Sequence, residues 1–185
     1  TKTGLYTYNA ATKTTRKFTH EPGDPESQEI NLITSMVIDG QNNLIIGTQK
    51  GLYMFNTADE IFTELYPDSF NESHIFDLAK DEMERIWIAD YDSGIYMIPA
   101  ADSSCTSSGL YFVLEGFGRA LGTDRQQQLW VSWGNKLGVQ SFDLTHFDPE
   151  KMQFMPEAIG PALLDKNSID DIYQDKWNNV WFGTY

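Results

Sequence analysis

The sequence predicts an all-β fold, a β-propeller of four-stranded antiparallel blades, and three observations carry that prediction. An apolar run ending in Asp recurs four times, at Asp39, Asp81, Asp124 and Asp175. Each Asp is followed by a short apolar segment holding Ile45, Trp87, Trp130 or Trp181, and a Gly that opens an apolar-aromatic run stands at Gly4, Gly51, Gly94 and Gly138. The copies are spaced by about 42 to 51 residues with turn signals inside each, which is the period of propeller blades.

Each unit reads as four strands, A to D. Strand A carries Ile33, Ile75 and Ile169 at one position, with Gly118 in the third copy, and Met36, Leu78, Leu121 and Ile172 at another. The Asp then opens a tight turn: DGQNN at 39–43, DEMER at 81–85, DRQQQ at 124–128 and DKWNN at 175–179. Strand B is NLIIGT at 43–48, RIWIAD at 85–90, QLWVSW at 128–133 and NVWFGT at 179–184. These runs are apolar at successive positions, as burial on both faces between two neighbouring blades requires. Trp87, Trp130 and Trp181 are therefore expected to be buried at equivalent positions, with Trp133 at least partly exposed. Strand C is GLYTY at 4–8, GLYMF at 51–55, GIYMI at 94–98 and GVQSF at 138–142. Strand D, the outer and half-exposed one, is expected to end near Phe18, Phe62, Phe112 and Phe154. The chain thus divides into a half-blade at 1–30, blades at about 31–66, 74–114 and 117–155, and a half-blade at 167–185.

Composition agrees with one packed domain or part of one, at 41% hydrophobic and 14% aromatic residues over 185 positions. No run approaches the roughly 18 uninterrupted apolar residues of a membrane span. The chain opens on Thr-Lys-Thr-Gly, and no targeting segment is visible. Net charge is −14 and no basic stripe exists, so nucleic acid is excluded as a partner because phosphate binding needs clustered Lys and Arg. The one cysteine, Cys105, cannot form an internal disulfide and sits in a Ser-rich stretch at 102–108 that reads as a loop between strands C and D.

No catalytic constellation is visible, and neither a metal nor a cofactor is expected. His20, His74 and His146 have no companion at i, i+3 or i+4 and no Cys partner. The four repeated aspartates recur at the same turn of every unit, which marks them as turn acceptors for backbone N–H groups rather than acid/base pairs. DGQNN lacks the Glu that a calcium loop places at its twelfth position, and no Gly-rich phosphate cradle follows a strand.

Function is therefore sought where the repeat is violated. The loops joining strands B and C lie at one rim of a propeller, near the mouth of its channel. Here they hold Gln49 and Lys50; Tyr91, Asp92 and Ser93; Trp133 to Leu137; and Tyr185. Tyr91, Trp133 and Tyr185 are aromatics outside the core pattern, suited to stack on a sugar ring while Asp92, Asn135, Lys136, Gln49 and Lys50 bond hydroxyls. The same rings fit equally the capping of blades or a contact with another module.

The stretch SIDDIYQDKWNNVWFGTY at 168–185, continued by the TGLYTYN pattern at 3–9, resembles the two-component regulator propeller repeat. The resemblance covers essentially the whole chain; departures are Ile45 for Trp, Ala89 and Ser132 for Gly, and Asp90 and Trp133 for Thr. It implies a piece of a seven-bladed propeller from the periplasmic sensor region of a Bacteroides-type hybrid two-component system. Tandem propellers there precede an immunoglobulin-like domain, a membrane helix and a histidine kinase. It further implies a non-catalytic, carbohydrate-sensing role, often for an oligosaccharide, and since the family's motif residues are structural it assigns no ligand contact. Two other classes stay open. A protein-interaction scaffold would use a flat patch around Tyr91 and Trp133, and a propeller lyase or glycosidase would rely on Asp92, the one good rim carboxylate. The two half-blades could close a four-bladed ring only at about 90° per blade, against about 45° for eight blades. A homodimer forming a two-chain, eight-bladed ring is the expected outcome.

Overall fold

A computed structural model describes residues 3–20, 27–100, 109–134, 138–164 and 167–184. The described residues form six antiparallel sheets, five of which follow one another along the chain while the sixth is an insert. The first is a hairpin of β1 (Leu5–Asn9) and β2 (Thr14–Phe18). Three four-stranded sheets come next. The first holds β3 (Ile33–Ile38), β4 (Leu44–Thr48), β5 (Gly51–Asn56) and β6 (Ile61–Leu65), and the second β7 (Ile75–Lys80), β8 (Ile86–Asp90), β9 (Gly94–Ile98) and β10 (Tyr111–Glu115). The third holds β11 (Gly118–Thr123), β12 (Gln128–Trp133), β13 (Val139–Asp143) and β16 (Ile159–Leu163), with a small hairpin of β14 (Phe147–Asp148) and β15 (Gln153–Phe154) inserted before its last strand. A hairpin of β17 (Ile169–Gln174) and β18 (Val180–Thr184) ends the series. Short helices α1 (Ser27–Ile30) and α2 (Pro67–Phe70) lead into the first two complete blades.

The third blade corrects the expected position of its outer strand. Phe154 does not end strand D; it lies in the inserted hairpin, and the outer strand is β16, so the sheet runs from 118 to 163. The Asp143 carboxylate accepts the Thr145 N–H at 2.9 Å and caps a 3-10 turn at Leu144–His146, which lifts the chain off the sheet edge. The insert then lays Phe147 and Phe154 on the Trp87 ring, with centroids 5.5 and 5.9 Å away. The Ser-rich stretch with Cys105 lies outside the described residues.

The repeated Asp is a clamp. In the second blade Asp81 Oδ1 accepts the N–H groups of Met83 and Arg85, while Oδ2 accepts the Trp87 indole N–H at 2.8 Å. Asp124 holds Gln126, Gln128 and Trp130 in the same way, and Asp175 holds Trp177, Asn179 and Trp181. In the first blade, where Ile45 replaces Trp, the Asn43 side chain donates to Asp39 Oδ2 instead, at 3.0 Å. One carboxylate thus closes the turn and fixes the ring that faces the next blade.

Burial of those rings differs from the expectation. Trp87 is fully buried and Trp130 half-buried, but Trp181 is 60% exposed. Its indole bond to Asp175 is intact at 2.9 Å. The difference is what lies beyond: the third blade covers Trp87, Phe182 of the last hairpin meets Trp130 at 5.6 Å, and no described sheet covers Trp181. Its cross-strand partner Tyr173 is 65% exposed beside it.

The innermost strands β3, β7, β11 and β17 lie side by side and are stitched across the seams. Ser35 Oγ accepts the Leu78 N–H at 3.2 Å, and Asp77 Oδ2 accepts the Leu121 N–H at 2.9 Å. The hydroxyl of Thr34 donates to Ile75 O, that of Thr123 to Lys80 O and that of Ser132 to Ile169 O. Such bonds satisfy strand-A backbone groups that have no ladder partner on the channel side, each contributing about 0.5 to 1.5 kcal/mol net.

Candidate functional site

A repeated bond sets the rim. The Gly opening each strand C has a positive φ, from +98° at Gly51 to +144° at Gly94, a region that glycine enters without steric cost. Gly4, Gly51 and Gly138 donate to Asn31 O, Ser73 O and Asn167 O, the residues just before the next strand A. The Tyr91 N–H donates to His74 O at 3.0 Å and the Gly134 N–H to Phe117 O at 2.7 Å. The three glycine bonds tie a B–C loop to the segment entering the neighbouring blade, and the Tyr91 and Gly134 bonds tie a B–C loop to the segment entering its own blade, so both kinds of loop share one rim.

Each strand A carries a register shift at the same place, between Ile33 and Ser35, Ile75 and Asp77, Gly118 and Ala120, and Ile169 and Asp171. The extra residues are Thr34, Phe76, Arg119 and Asp170, and neighbours touch: Arg119 lies over the Phe76 ring at 5.7 Å and pairs with Asp170 at 2.5 Å. A bulge re-aims one side chain out of the ladder, and here it lines the inner strands with one non-repeating residue per blade.

Above Phe76 the rim gathers four rings. His74 stacks on Phe76 at 4.2 Å, Phe76 meets Tyr91 at 5.1 Å, and Tyr91 meets Phe117 edge-on at 5.6 Å. Tyr91 and Phe117 remain 37% and 38% exposed. Burial holds the His74 imidazole below its usual pKa, against the pull of Asp92 and Asp90, so the ring is neutral near pH 7 and stacks without a charge to solvate. Asp90, which is buried, accepts the Asp92 N–H at 2.9 Å and the Ser93 hydroxyl at 2.6 Å. Thr48 uses its hydroxyl likewise, accepting the Lys50 N–H and donating to Gly51 O. The Thr-to-Asp departure at 90 therefore keeps the loop's architecture.

Of the residues expected at the rim, Tyr91 enters this cluster and Asp92 is exposed beside it. Gln49 is exposed, and Lys50 pairs with Glu72 at 3.2 Å. Trp133 is half-buried and turns away from the mouth: its ring lies directly against Gly116, in the seam between β10 and β13. Asn135, Lys136 and Tyr185 lie outside the described residues. Sequence reasoning missed His74, Phe76 and Phe117. The readable signal was position 34/76/119/170, which holds Thr, Phe, Arg and Asp while the flanking positions repeat. Chemically the cluster offers an apolar ring-stacking surface edged by Asp92, Arg119 and Asp170. Among the described residues no group of three or more His, Cys, Asp or Glu is placed to hold a metal ion.

This architecture, blades arrayed by their inner strands with loops gathered on one rim, is that of a β-propeller segment. Residues 163–185 match the two component regulator propeller family. No curated protein matches the chain in sequence. The chain is similar in fold to the extracellular domain of a putative one component system from B. thetaiotaomicron, with 20% identity and a TM-score of 0.67 over 99% of this chain and 24% of that one. It is also similar to that of a putative hybrid two component system from the same organism, at 18% identity and TM-score 0.54, covering 100% of this chain and 30% of that one. PorZ, a surface component of the type-IX secretion system of Porphyromonas gingivalis, superposes with TM-score 0.70 at 15% identity over 98% of this chain and 28% of that one. The chain thus spans between about a quarter and a third of these structures. Among the described residues no helix is long and apolar enough to cross a membrane.

Proposed function

We propose that this propeller segment is the ligand-sensing part of an extracytoplasmic two-component sensor, and that its ligand is a carbohydrate. The rim cluster of His74, Phe76, Tyr91 and Phe117 is the observation that carries the reading, since two half-exposed rings backed by two more form a stacking surface for a pyranose face. Asp92 supplies an acceptor for hydroxyls at its edge. In this reading the segment binds and does not catalyse. The kinase activity belongs to a histidine kinase elsewhere in the parent protein, and the segment works in the periplasm. The family match over 163–185 and the likeness to extracellular domains of bacterial sensors support it.

Calorimetric titration with a panel of oligosaccharides tests the proposal. One of them binds saturably, and Tyr91→Ala combined with Phe117→Ala weakens it by about tenfold or more, as for loss of anchoring rings. No binding across the panel, or unchanged affinity in the double variant, overturns it.

A further inference from the structure

At two successive seams a ring from the connection between blades plugs the gap against the third residue of the next strand C. His20, just after β2, packs on Tyr53 at 5.5 Å. Phe70 of α2, fully buried, packs on Tyr96 at 5.0 Å. The third seam breaks the pattern. Gln140 stands where Tyr53 and Tyr96 stand, and the connection shrinks to Gly116 and Phe117, whose ring goes to Tyr91 at the rim. Glu115 takes the place of Tyr66, as the pairings of Leu65 with Leu52 and of Leu114 with Ile95 establish. A cavity of about 310 Å³ occupies the unplugged seam, walled by Leu114, Trp133, Val139, Phe142 and Ile159, with Glu115 and Gln140 as its polar groups.

We infer that this seam cavity between β10 and β13 is a second ligand site, separate from the rim, and that it takes a small apolar ring bearing a protonated amine. The volume is at the lower end of small-molecule pockets and suits one six-membered ring with a short substituent. The plug that fills the two preceding seams and is absent from this one is an aromatic ring, so the cavity has room for one. Both polar groups offer acceptors: Glu115 as a carboxylate, and Gln140 through its amide oxygen, because its nitrogen donates to Gly160 O at 3.1 Å. A sugar, with hydroxyls around its whole edge, would leave several unpaired against Leu114, Val139 and Ile159. The chain's net charge of −14 favours a cation further.

The probe is 2-phenylethylammonium, titrated by calorimetry and by protein-observed NMR on the 185-residue chain. Saturable binding is expected in the wild type. Glu115→Gln, an exposed and shape-conserving change, weakens binding by about fivefold, the difference between a charged and a neutral hydrogen bond. Gln140→Tyr restores the ring of the other blades, abolishes binding and raises the unfolding temperature. The absence of saturable binding overturns the inference, as does wild-type affinity in Gln140→Tyr. Wild-type affinity in Glu115→Gln overturns the assignment of an amine, and it keeps the inference falsifiable should the Tyr variant not fold. The rim proposal is read with different probes and different variants, so either can fail alone.

Discussion

Ala89 and Gly118 meet across the seam between the second and third blades, where Gly47 and Ile75 meet across the seam before it. A Cβ on Gly118 would stand 3.0 Å from Ala89 Cβ, and one on Gly47 would stand 2.7 Å from Ile75 Cγ2. Each seam therefore holds one glycine at this point of contact, on strand B in one case and on strand A in the other. Two departures from the repeat, Ala89 for Gly and Gly118 for Ile, are a single compensated exchange.

Gly118→Ile alone is expected to destabilise the chain by overpacking, at about 1 to 3 kcal/mol. Adding Ala89→Gly recreates the Gly47 and Ile75 pair and recovers most of the loss. A double-mutant cycle by urea denaturation reads the coupling directly. Additive effects would mean that the two positions do not share the space.

Truncation of the clamped tryptophans is expected to follow the neighbouring blade rather than the repeat. Trp87→Ala removes a fully buried ring packed on Phe147 and Phe154 and costs about 3 to 5 kcal/mol. Trp181→Ala, at an exposed ring held by one indole bond, costs about 1 kcal/mol. Chemical denaturation of the two variants checks the ranking, and equal losses contradict it.

The same contrast marks what was legible in the sequence. Period, strand order and the Asp-to-Trp register could be read because turn closure and indole clamping are local chemistry, made within a few residues of each Asp. Burial of Trp181 could not, because it depends on a sheet outside the repeat that holds it. Phe154 reads as a strand end because an apolar residue at the right distance looks alike in a strand and in an insert; the cap at Asp143 that diverts the chain is a subtler signal. At the rim, Tyr91 was visible as an aromatic violating the pattern. Phe76 was hidden by a bulge that shifts it off the ladder, and Phe117 by its place in a connection. Trp133 shared the aromatic signal of Tyr91 but folds over Gly116, a glycine whose missing side chain makes the room.

Two carboxylates are expected to shape the stability profile with opposite signs. The Asn179 side chain, then the Trp181 indole and two backbone N–H groups, lower the Asp175 pKa to about 2 despite some desolvation. Its folded value lies below the unfolded value of about 3.9, so its contribution is present above that value and is lost as pH falls through about 2. Burial raises the Asp77 pKa, outweighing its bonds from Leu121, Ser35 and Leu78. Its contribution is complete below the unfolded value and is lost as pH rises through the folded one. Asp175→Asn therefore flattens the acid limb between about pH 4 and 2, and Asp77→Asn flattens the limb above about pH 4. Denaturation midpoints across pH measure both, and a steeper limb in either variant contradicts the assignment.

β18 pairs only with β17 and β1 only with β2 among the described residues, so one edge of each strand is unpaired. The two hairpins are complementary halves of a blade: β17 and β18 carry the Asp clamp of strands A and B, while β1 follows a positive-φ glycine as each strand C does. In complete blades Thr48 pairs with Gly51 and Gly47 with Leu52, which predicts Thr184 opposite Gly4 and Gly183 opposite Leu5 in a joined blade. Within one chain that pairing demands a four-bladed ring, whereas the hairpins stand as separate sheets. Between two copies it closes an eight-bladed ring by a two-fold axis and pairs the open edges of β18 and β1. It also covers the exposed faces of Trp181 and Tyr173 on one side and of Tyr6 and Tyr8 on the other. Light scattering coupled to size exclusion should therefore give twice the 21.1 kDa chain mass at high micromolar concentration, and Tyr8→Pro, which removes an N–H on the open edge of β1, should return the monomer. A monodisperse wild-type monomer under those conditions refutes the pairing.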